Sequence, residues 1–225
     1  MELSHRDLDV LKLTYSFTQL ASTHLAELLF ADVSRTVTNK VLGRLTRDSY
    51  LYRVGRRTAG ESGGNSPYVY KLGRLGRTLL GVEGRQSTAV NDHALMIADT
   101  YLELRRAEKT GVLTVRKWEV ERSLPPIRAD LLAAVDYPAQ RRSSSYFLEI
   151  DLGTEAPIRL REKVAGYWRV YHRSEEDFFP FVVFVVKREA RKREIERIIR
   201  ALPEEQREMV RVFLLGELIP QLMQL

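Results

Sequence analysis

The chain has 225 residues, enough for one large domain or two modest ones, and its 44% hydrophobic and 29% charged residues are ordinary for a globular protein. The absence of cysteine excludes disulfides, thiolate nucleophiles and cysteine-based metal centres, so any metal must be bound mainly through oxygen. The net charge of +6 favours a polyanionic partner. Neither a signal-peptide pattern nor a membrane-length apolar run is present, so we expect a cytoplasmic protein with no membrane partner.

The first eighty residues predict a small bundle of helices. Residues 4–17 carry apolar side chains at helical spacing after a capping pattern. A shorter helix is predicted over residues 23–30, and Asp32 or Ser34 caps a third. A short helix, a tight connection and a basic helix form the helix-turn-helix pattern, in which the second member enters the DNA major groove.

The third helix is predicted to have two chemically different sides. Its inward side is Val37, Val41, Leu42 and Leu45. Its other side is polar and basic, and consists of Arg35, Thr36, Asn39, Lys40, Gly43 and Arg47. We expect the groove and phosphate contacts from Arg35, Thr36, Asn39, Lys40 and Arg44.

Two predicted strands, residues 50–54 and 67–72, follow the third helix and are joined by the Gly- and Ser-rich residues 58–66. A basic hairpin in this position is a wing, with Arg53, Arg56 and Arg57 as its cations. The alternative is a solvated basic face used for protein contacts. We expect a winged helix-turn-helix domain over residues 1–84 and a linker over residues 81–88.

A second domain is predicted over residues 89–225. The pattern predicts a helix over residues 93–106, strands over 112–118, 127–135 and 146–151, a helix over 157–171 and a buried strand over 181–186. From Lys187 onward we expect helix to the end of the sequence, with a break at Pro203. The fold class is therefore α+β or α/β, a mixed sheet flanked by helices.

Three acids mark the strands of this domain. Alternation puts Glu149 and Asp151 on one face of the third strand, while Asp130 opens the second. Such carboxylates form a cage for a hard divalent cation. The alternative is a strand that runs into a polar loop, with Asp151-Leu152-Gly153 as a turn.

The order of elements and acids resembles the core of the PD-(D/E)XK nuclease superfamily. The resemblance implies that Asp130 and Glu149 share magnesium or manganese, with Asp151 beside them, and that no organic cofactor is needed. The superfamily usually has lysine where this chain has Asp151, which puts cleavage in doubt. Lys163 on the following helix could replace the missing cation, or could be a surface lysine beside Arg159 and Arg161.

Further motifs resemble the replication-relaxation family of bacterial plasmids and integrated mobile elements. They are the helix with Arg6-Asp7, residues 67–72 before Gly76-Arg77, His93, Trp118-Glu119, Arg128-Ala129-Asp130, and Glu149 to Glu155 followed by Lys163 and Tyr167. Ala129 stands where Pro is expected. The resemblance implies a winged helix joined to a nuclease-like domain, double-stranded DNA as partner, and contacts with replication or conjugation proteins.

Three functions stay open from the sequence. The chain could be a DNA-binding accessory factor that does not cut, or a magnesium-dependent endonuclease that does. Alternatively, its second domain could only oligomerise, for instance as a homodimer. The last hypothesis depends on a surplus of apolar residues near the end of the sequence, namely Val212, Phe213, Leu215, Leu218, Ile219, Leu222 and Met223. The alternative, which we favour, is that these residues are buried against the chain's own sheet.

Overall fold

The computed structural model describes residues 2–58, 66–83, 87–174 and 178–225. The chain divides into two compact units, Met1–Leu102 and Glu103–Leu225. Helices accompany a three-stranded sheet in the first unit and a five-stranded sheet in the second, which confirms the predicted α+β class. The predicted loop over residues 58–66 and linker over residues 81–88 lie partly outside the described residues. The domain limits of 84 and 89 stay predictions.

Three helices open the first unit as predicted. They are α1 (His5–Ser16), α2 (Ser22–Leu29) and α3 (Arg35–Arg47). Ser4 and Asp7 form a reciprocal capping box that fixes the start of α1, and Ser34 caps α3. Leucines from all three helices are fully buried, so the bundle has a continuous apolar core.

The first sheet has the strand order β1-β3-β2, with β1 at Leu20–Ala21, β2 at Leu51–Arg56 and β3 at Tyr68–Leu72. All its pairings are antiparallel, and a bulge interrupts the β2–β3 register between Arg53 and Gly55. Two residues are too few to show an alternating pattern, which is why the sequence did not reveal β1. Helices α4 (Arg74–Leu80) and α5 (Asp92–Lys109) follow.

The second unit is built on a sheet of order β4-β5-β6-β7-β8. Its strands are β4 (Thr114–Leu124), β5 (Ile127–Tyr137), β6 (Arg142–Asp151), β7 (Phe181–Val186) and β8 (Val210–Leu214). The first three pair antiparallel, whereas β6, β7 and β8 run parallel. Four helices accompany them among the described residues: α6 (Pro157–Tyr171), α7 (Glu189–Arg200), α8 (Glu204–Glu208) and α9 (Leu218–Leu222).

The prediction of helix from Lys187 to the end was wrong at residues 210–214. This segment is β8, which pairs with β7 and completes the sheet. Its five residues are mostly β-branched or aromatic, but the apolar residues after it continue at helical spacing and masked the change of period. Val212 and Phe213 are buried within the unit, as are Leu218 and Leu222. The apolar surplus is thereby largely accounted for, and oligomerisation stays a prediction.

The buried face of the sheet explains where the predicted site lies. Phe147 on β6 packs with Leu160 and Tyr167 of α6 and with Ile195 of α7 in one apolar cluster. Glu149 and Asp151 follow Phe147 at intervals of two and belong to the same face of the strand. Their carboxylates therefore extend an otherwise apolar layer. None of the described helices combines the length and apolar character needed to cross a bilayer.

Candidate functional site

Glu149 is the most deeply buried carboxylate of the second unit. Its side chain is fully enclosed, and the Tyr167 hydroxyl donates a hydrogen bond to Oε1. The Lys163 ammonium lies 2.8 Å from Oε2, although this oxygen receives no well-directed hydrogen bond. Burial, with a smaller contribution from Asp130, raises the pKa of Glu149 to about 7, against the opposing effects of Lys163 and Tyr167. The surroundings of Glu149 therefore favour its protonated form more than water does.

Asp130 lies beside Glu149, where β5 leaves β6. The β5–β6 register ends at Leu131 opposite Leu148, and Asp130 comes one residue beyond that pair. Its Oδ2 accepts a hydrogen bond of 2.7 Å from the backbone N–H of Ile150. The negative charge of Asp130 is close enough to raise the pKa of Glu149. The structure therefore brings these two predicted residues together at the point where the strands separate.

Asp151 is held by a different partner. The guanidinium of Arg191 on α7 spans both carboxylate oxygens, with Nε 2.9 Å from Oδ1 and Nη2 2.7 Å from Oδ2. The backbone N–H of Gly153 donates to Oδ1 at 2.6 Å. This arrangement is a buried fork-to-fork ion pair. The predicted trio therefore divides, with Asp130 and Glu149 facing Lys163 and Asp151 facing Arg191.

Lys163 is where the sequence analysis placed a candidate cation. Its ammonium bridges Glu149 and Glu155, at 2.8 Å and 3.2 Å. Burial would lower the pKa of Lys163, but Glu149, Asp130 and Glu155 together raise it, so the side chain is charged at neutral pH. Oε2 of Glu155 is buried and receives no hydrogen bond. Lys163 is therefore a partly buried member of the acid cluster, with 23% of its side chain exposed, and not a freely solvated lysine.

The fit of these residues to a divalent cation is partial. Magnesium in proteins is commonly bound by one or two carboxylates together with water or substrate phosphate, and Asp130 and Glu149 can supply two. Oε2 of Glu149 is buried without a well-directed hydrogen bond, which also suits a bound cation. Asp151 does not fit, because Arg191 occupies both of its oxygens. Within the described ranges, no group of three acidic or histidine side chains has the arrangement of a metal site.

A groove of about 650 Å3 lies beside this cluster. Its walls are the turn between β4 and β5, Glu155 and one side of α6, and the lining includes Arg128, Arg159, Glu162, Lys163 and Arg169. Gly166 of α6 allows the turn to approach, since a Cβ at that position would lie 2.3 Å from Cγ2 of Ile127. The groove therefore offers access from solvent to one side of Lys163.

In the first unit, α3 presents the polar surface predicted from its sequence. Arg35, Thr36, Asn39, Lys40 and Arg47 are exposed, while Leu42 and Leu45 are buried. Helix α3 contains no acidic residue. One expected orientation was wrong: Val37 is 41% exposed, and Thr38 is buried in its place. The helix is rotated slightly about its axis relative to the expected inward stripe.

Two of the predicted DNA-contacting arginines take part in ion pairs within the first unit. Arg44 lies 2.6 Å from Oδ1 of Asp7, the capping residue of α1, and so connects α3 to α1. Arg57 spans the carboxylate of Asp99 on α5 at 2.8 Å and 2.5 Å. Buried His24 lies 2.8 Å from the same carboxylate. Both arginines therefore have an evident structural role.

The remaining predicted wing arginines contact one tyrosine. The guanidinium carbons of Arg53 and Arg56 lie 3.8 Å and 4.0 Å from the centre of the Tyr68 ring. Arg56 also donates hydrogen bonds to the Tyr68 hydroxyl and to the carbonyl of Ser66. Stacking on an aromatic ring orients a guanidinium while its charge stays available. The hairpin therefore presents two ordered cations.

Comparison with known proteins gives one match. The family model described as replication-relaxation matches residues 11–182, which is most of the chain. Neither the curated proteins nor the solved structures provide a significant match. The matched range covers all of α3, both hairpin strands, Asp130, Glu149 and Lys163, but it ends before Arg191.

Proposed function

The chain belongs to the replication-relaxation family, and from that premise we propose that its first unit is a winged helix that docks on duplex DNA during replication or relaxation of a plasmid or mobile element. In this proposal α3 enters the major groove, and the β2–β3 hairpin contacts the phosphate backbone. The protein is an accessory factor whose second unit, of nuclease-like type, engages DNA or replication proteins.

The observation that carries the proposal is the exposed, acid-free surface of α3. Arg35, Lys40 and Arg47 supply positive charge there, and Thr36 and Asn39 supply hydrogen-bonding groups that suit base edges. The nearby hairpin adds Arg53 and Arg56, which Tyr68 holds in place. Clustered Lys and Arg side chains supply the phosphate contacts that dominate the affinity of DNA-binding proteins.

The test is a comparison of two charge reversals. Lys40→Glu changes the proposed groove surface, whereas Lys12→Glu makes the same change on an exposed position of α1. We expect Lys40→Glu to weaken binding to a labelled duplex about tenfold or more and to reduce the salt dependence of the affinity by about one phosphate contact. Fluorescence anisotropy at several salt concentrations measures both quantities. Equal effects of the two variants would show that α3 does not contact the DNA.

Arg44 is a poor choice for such a test. Replacing it with Glu would place a second carboxylate against buried Asp7 and disturb the α1–α3 contact, so a loss of binding would have two explanations. Within the residues that the structure describes, Lys40 makes no ion pair comparable to that of Arg44 with Asp7.

A second candidate function, a metal-dependent endonuclease, is favoured by the pairing of Asp130 and Glu149 beside Lys163. Asp130 and Glu149 would hold magnesium or manganese, which when bound supplies charge neutralisation and an activated water. Lys163 would balance the charge of Glu149 and face a phosphate in the adjacent groove. Tyr167 would fix the orientation of the Glu149 carboxylate. Asp151, paired with Arg191, would serve to support the strand end.

The nuclease candidate is tested with supercoiled plasmid and linear duplex in magnesium, manganese or chelator. Asp130→Ala is compared with Asp136→Ala, which removes an acid from the same strand that instead pairs with Arg116. Nicking that needs metal and Asp130 but not Asp136 would establish an endonuclease. A mobility shift without cleavage under every condition would leave the accessory function alone.

A further inference from the structure

We propose that a cavity of about 430 Å3 in the first unit binds a phosphate group. It is lined by Tyr52 of β2, Lys71 of β3, Arg74 and Arg77 of α4, and Thr88. This site goes beyond the proposed docking of α3 and the hairpin arginines on DNA, because Tyr52 and Lys71 lie on the hairpin face opposite Arg53 and the other residues just named follow the hairpin in the chain. Its ligand is recognised by charge and by hydrogen bonds to phosphate oxygens.

Three cations converge on this cavity. Arg74 and Arg77 are three residues apart on α4 and therefore share one side of the helix. Lys71 approaches from the neighbouring strand, and none of the described lining residues is acidic. An oxyanion bound in the cavity would be attracted by all three positive charges at once. Guanidinium groups suit phosphate because their donors match its oxygen geometry.

Lys71 is the anchor of the site. Only 8% of its surface is exposed, an unusual state for a lysine. Its Nζ donates a 2.7 Å hydrogen bond to the Ser87 carbonyl and lies 5.1 Å from the centre of the Tyr52 ring. Burial, and secondarily Arg77, lower the pKa of Lys71, so its charge is held at a cost that an anion would offset. An ammonium fixed in this way is pre-organised for binding.

Two glycines hold the walls at their spacing. A Cβ on Gly73 would lie 2.3 Å from the carbonyl oxygen of Ser49, and one on Gly76 would lie 2.3 Å from that of Tyr50. The N–H of Gly73 donates to the Tyr50 carbonyl at 2.8 Å. Close backbone contact therefore fixes α4, with its two arginines, against the start of β2.

The site faces away from the arginines of the hairpin. Tyr52 pairs with Lys71 across the two strands, and Arg53 pairs with Tyr70. Because successive residues alternate between faces, Tyr52 and Lys71 share one face while Arg53 and Tyr70 share the other. The phosphate could come from a nucleic-acid backbone at this second face or from a free phosphorylated molecule. Both sources present the same oxygens.

The first arm of the test uses inorganic phosphate as the probe. Amide resonances of residues 73–77 are followed by 1H–15N spectra during a phosphate titration, with chloride at matched ionic strength as reference. We expect saturable shifts in the wild type, at least tenfold weaker binding in Lys71→Met and in Arg77→Gln, and no change in Lys12→Met. Shifts that do not saturate, or that are equal in wild type and Lys71→Met, would overturn the proposal.

The second arm identifies the source of the phosphate. If it is nucleic acid, Lys71→Met weakens duplex binding and lowers its salt dependence by about one contact. If it is a free phosphorylated ligand, duplex affinity is unchanged while phosphate binding is lost. Thermal melting of each variant verifies folding, and Lys71→Met should still unfold cooperatively, because the lost hydrogen bond to Ser87 is offset by removal of a desolvated charge. The phosphate titration does not depend on the role of α3. Equal effects of Lys40→Glu and Lys12→Glu on duplex binding would therefore leave the proposal for this cavity standing.

Discussion

Arg191 is expected to be the most sensitive single charged side chain of the second unit. It joins α7 to the end of β6 through two hydrogen bonds to Asp151 and a third, of 2.7 Å, to the carbonyl of Glu155. In Arg191→Met the aliphatic stem is largely retained while the guanidinium is lost. Among the described residues, Asp151, only 3% exposed, would then keep one hydrogen bond, of 2.6 Å from the N–H of Gly153.

The expected cost follows from those contacts. Removing one partner of a buried ion pair typically costs about 3–5 kcal/mol, because the remaining charge stays buried. Two charged hydrogen bonds at about 1.5–3 kcal/mol each give a similar sum. For a chain of this size the loss corresponds to a fall of roughly 6–20 °C in the melting temperature. Adding Asp151→Asn should recover part of the loss, since the uncompensated charge is then removed.

The assay is urea unfolding followed by tryptophan fluorescence. Both tryptophans, Trp118 on β4 and Trp168 on α6, belong to the second unit and report its unfolding. Arg193→Met is the matched control, because within the described part of the chain this neighbour on α7 makes just an exposed pair with Glu189 and should cost less than about 1 kcal/mol. A cost for Arg191→Met no larger than that of Arg193→Met would refute the reasoning.

Three further predictions concern single positions. Gly166→Ala should destabilise the second unit by about 1–3 kcal/mol in urea unfolding, because the added Cβ would clash with Ile127. In the background of Ile127→Ala the same change should cost much less. If the costs of the two substitutions simply add, the predicted clash is wrong. Asp99→Asn should cost about 1–3 kcal/mol at pH 7. Burial alone would raise the pKa of Asp99, but Arg57 and His24 lower it. The stability lost in Asp99→Asn should therefore shrink in thermal melts as the pH falls below about 4. A loss that stays constant with pH would exclude this cause. The pKa of Glu149 is instead raised to about 7, so ionisation of this carboxylate destabilises the folded state. In chelator, the free energy of unfolding of the wild type should fall by on the order of 1–3 kcal/mol relative to that of Glu149→Gln as the pH rises from 4.5 to 7. Parallel pH profiles of the two proteins would contradict this prediction.

The sequence predicted most elements because their periodicity was clear. The helix at Pro157–Tyr171 and the strand at Phe181–Val186 have the predicted limits, since a proline begins the helix and the strand is a continuous run of apolar residues. The polar surface of α3 was also predictable, because exposed positions are set by helical spacing. Glu149 and Asp151 were predicted to lie on one face of their strand because side chains two residues apart in a strand share a face.

What could not be predicted depends on contacts between distant residues. Nothing local distinguishes Arg191 from the other basic residues of α7, yet it alone in that helix is bonded to Asp151. Arg44 looked like its neighbours on α3 until Asp7, 37 residues earlier, proved to be its partner. In both cases the partner is chosen by tertiary packing, which propensity and period do not encode.

Because β8 is the edge strand that covers β7, its loss should lower the solubility of the expressed protein. Its partner β7, with the sequence Phe-Val-Val-Phe-Val-Val, contains no charge, proline or glycine. A polypeptide cut short before Val210 would leave that strand as a bare sheet edge, and such segments recruit other chains into intermolecular β-structure. Premature termination or proteolysis after α7 should therefore yield inclusion bodies instead of a soluble fragment, so a separately expressed second unit should retain the residues through Leu222.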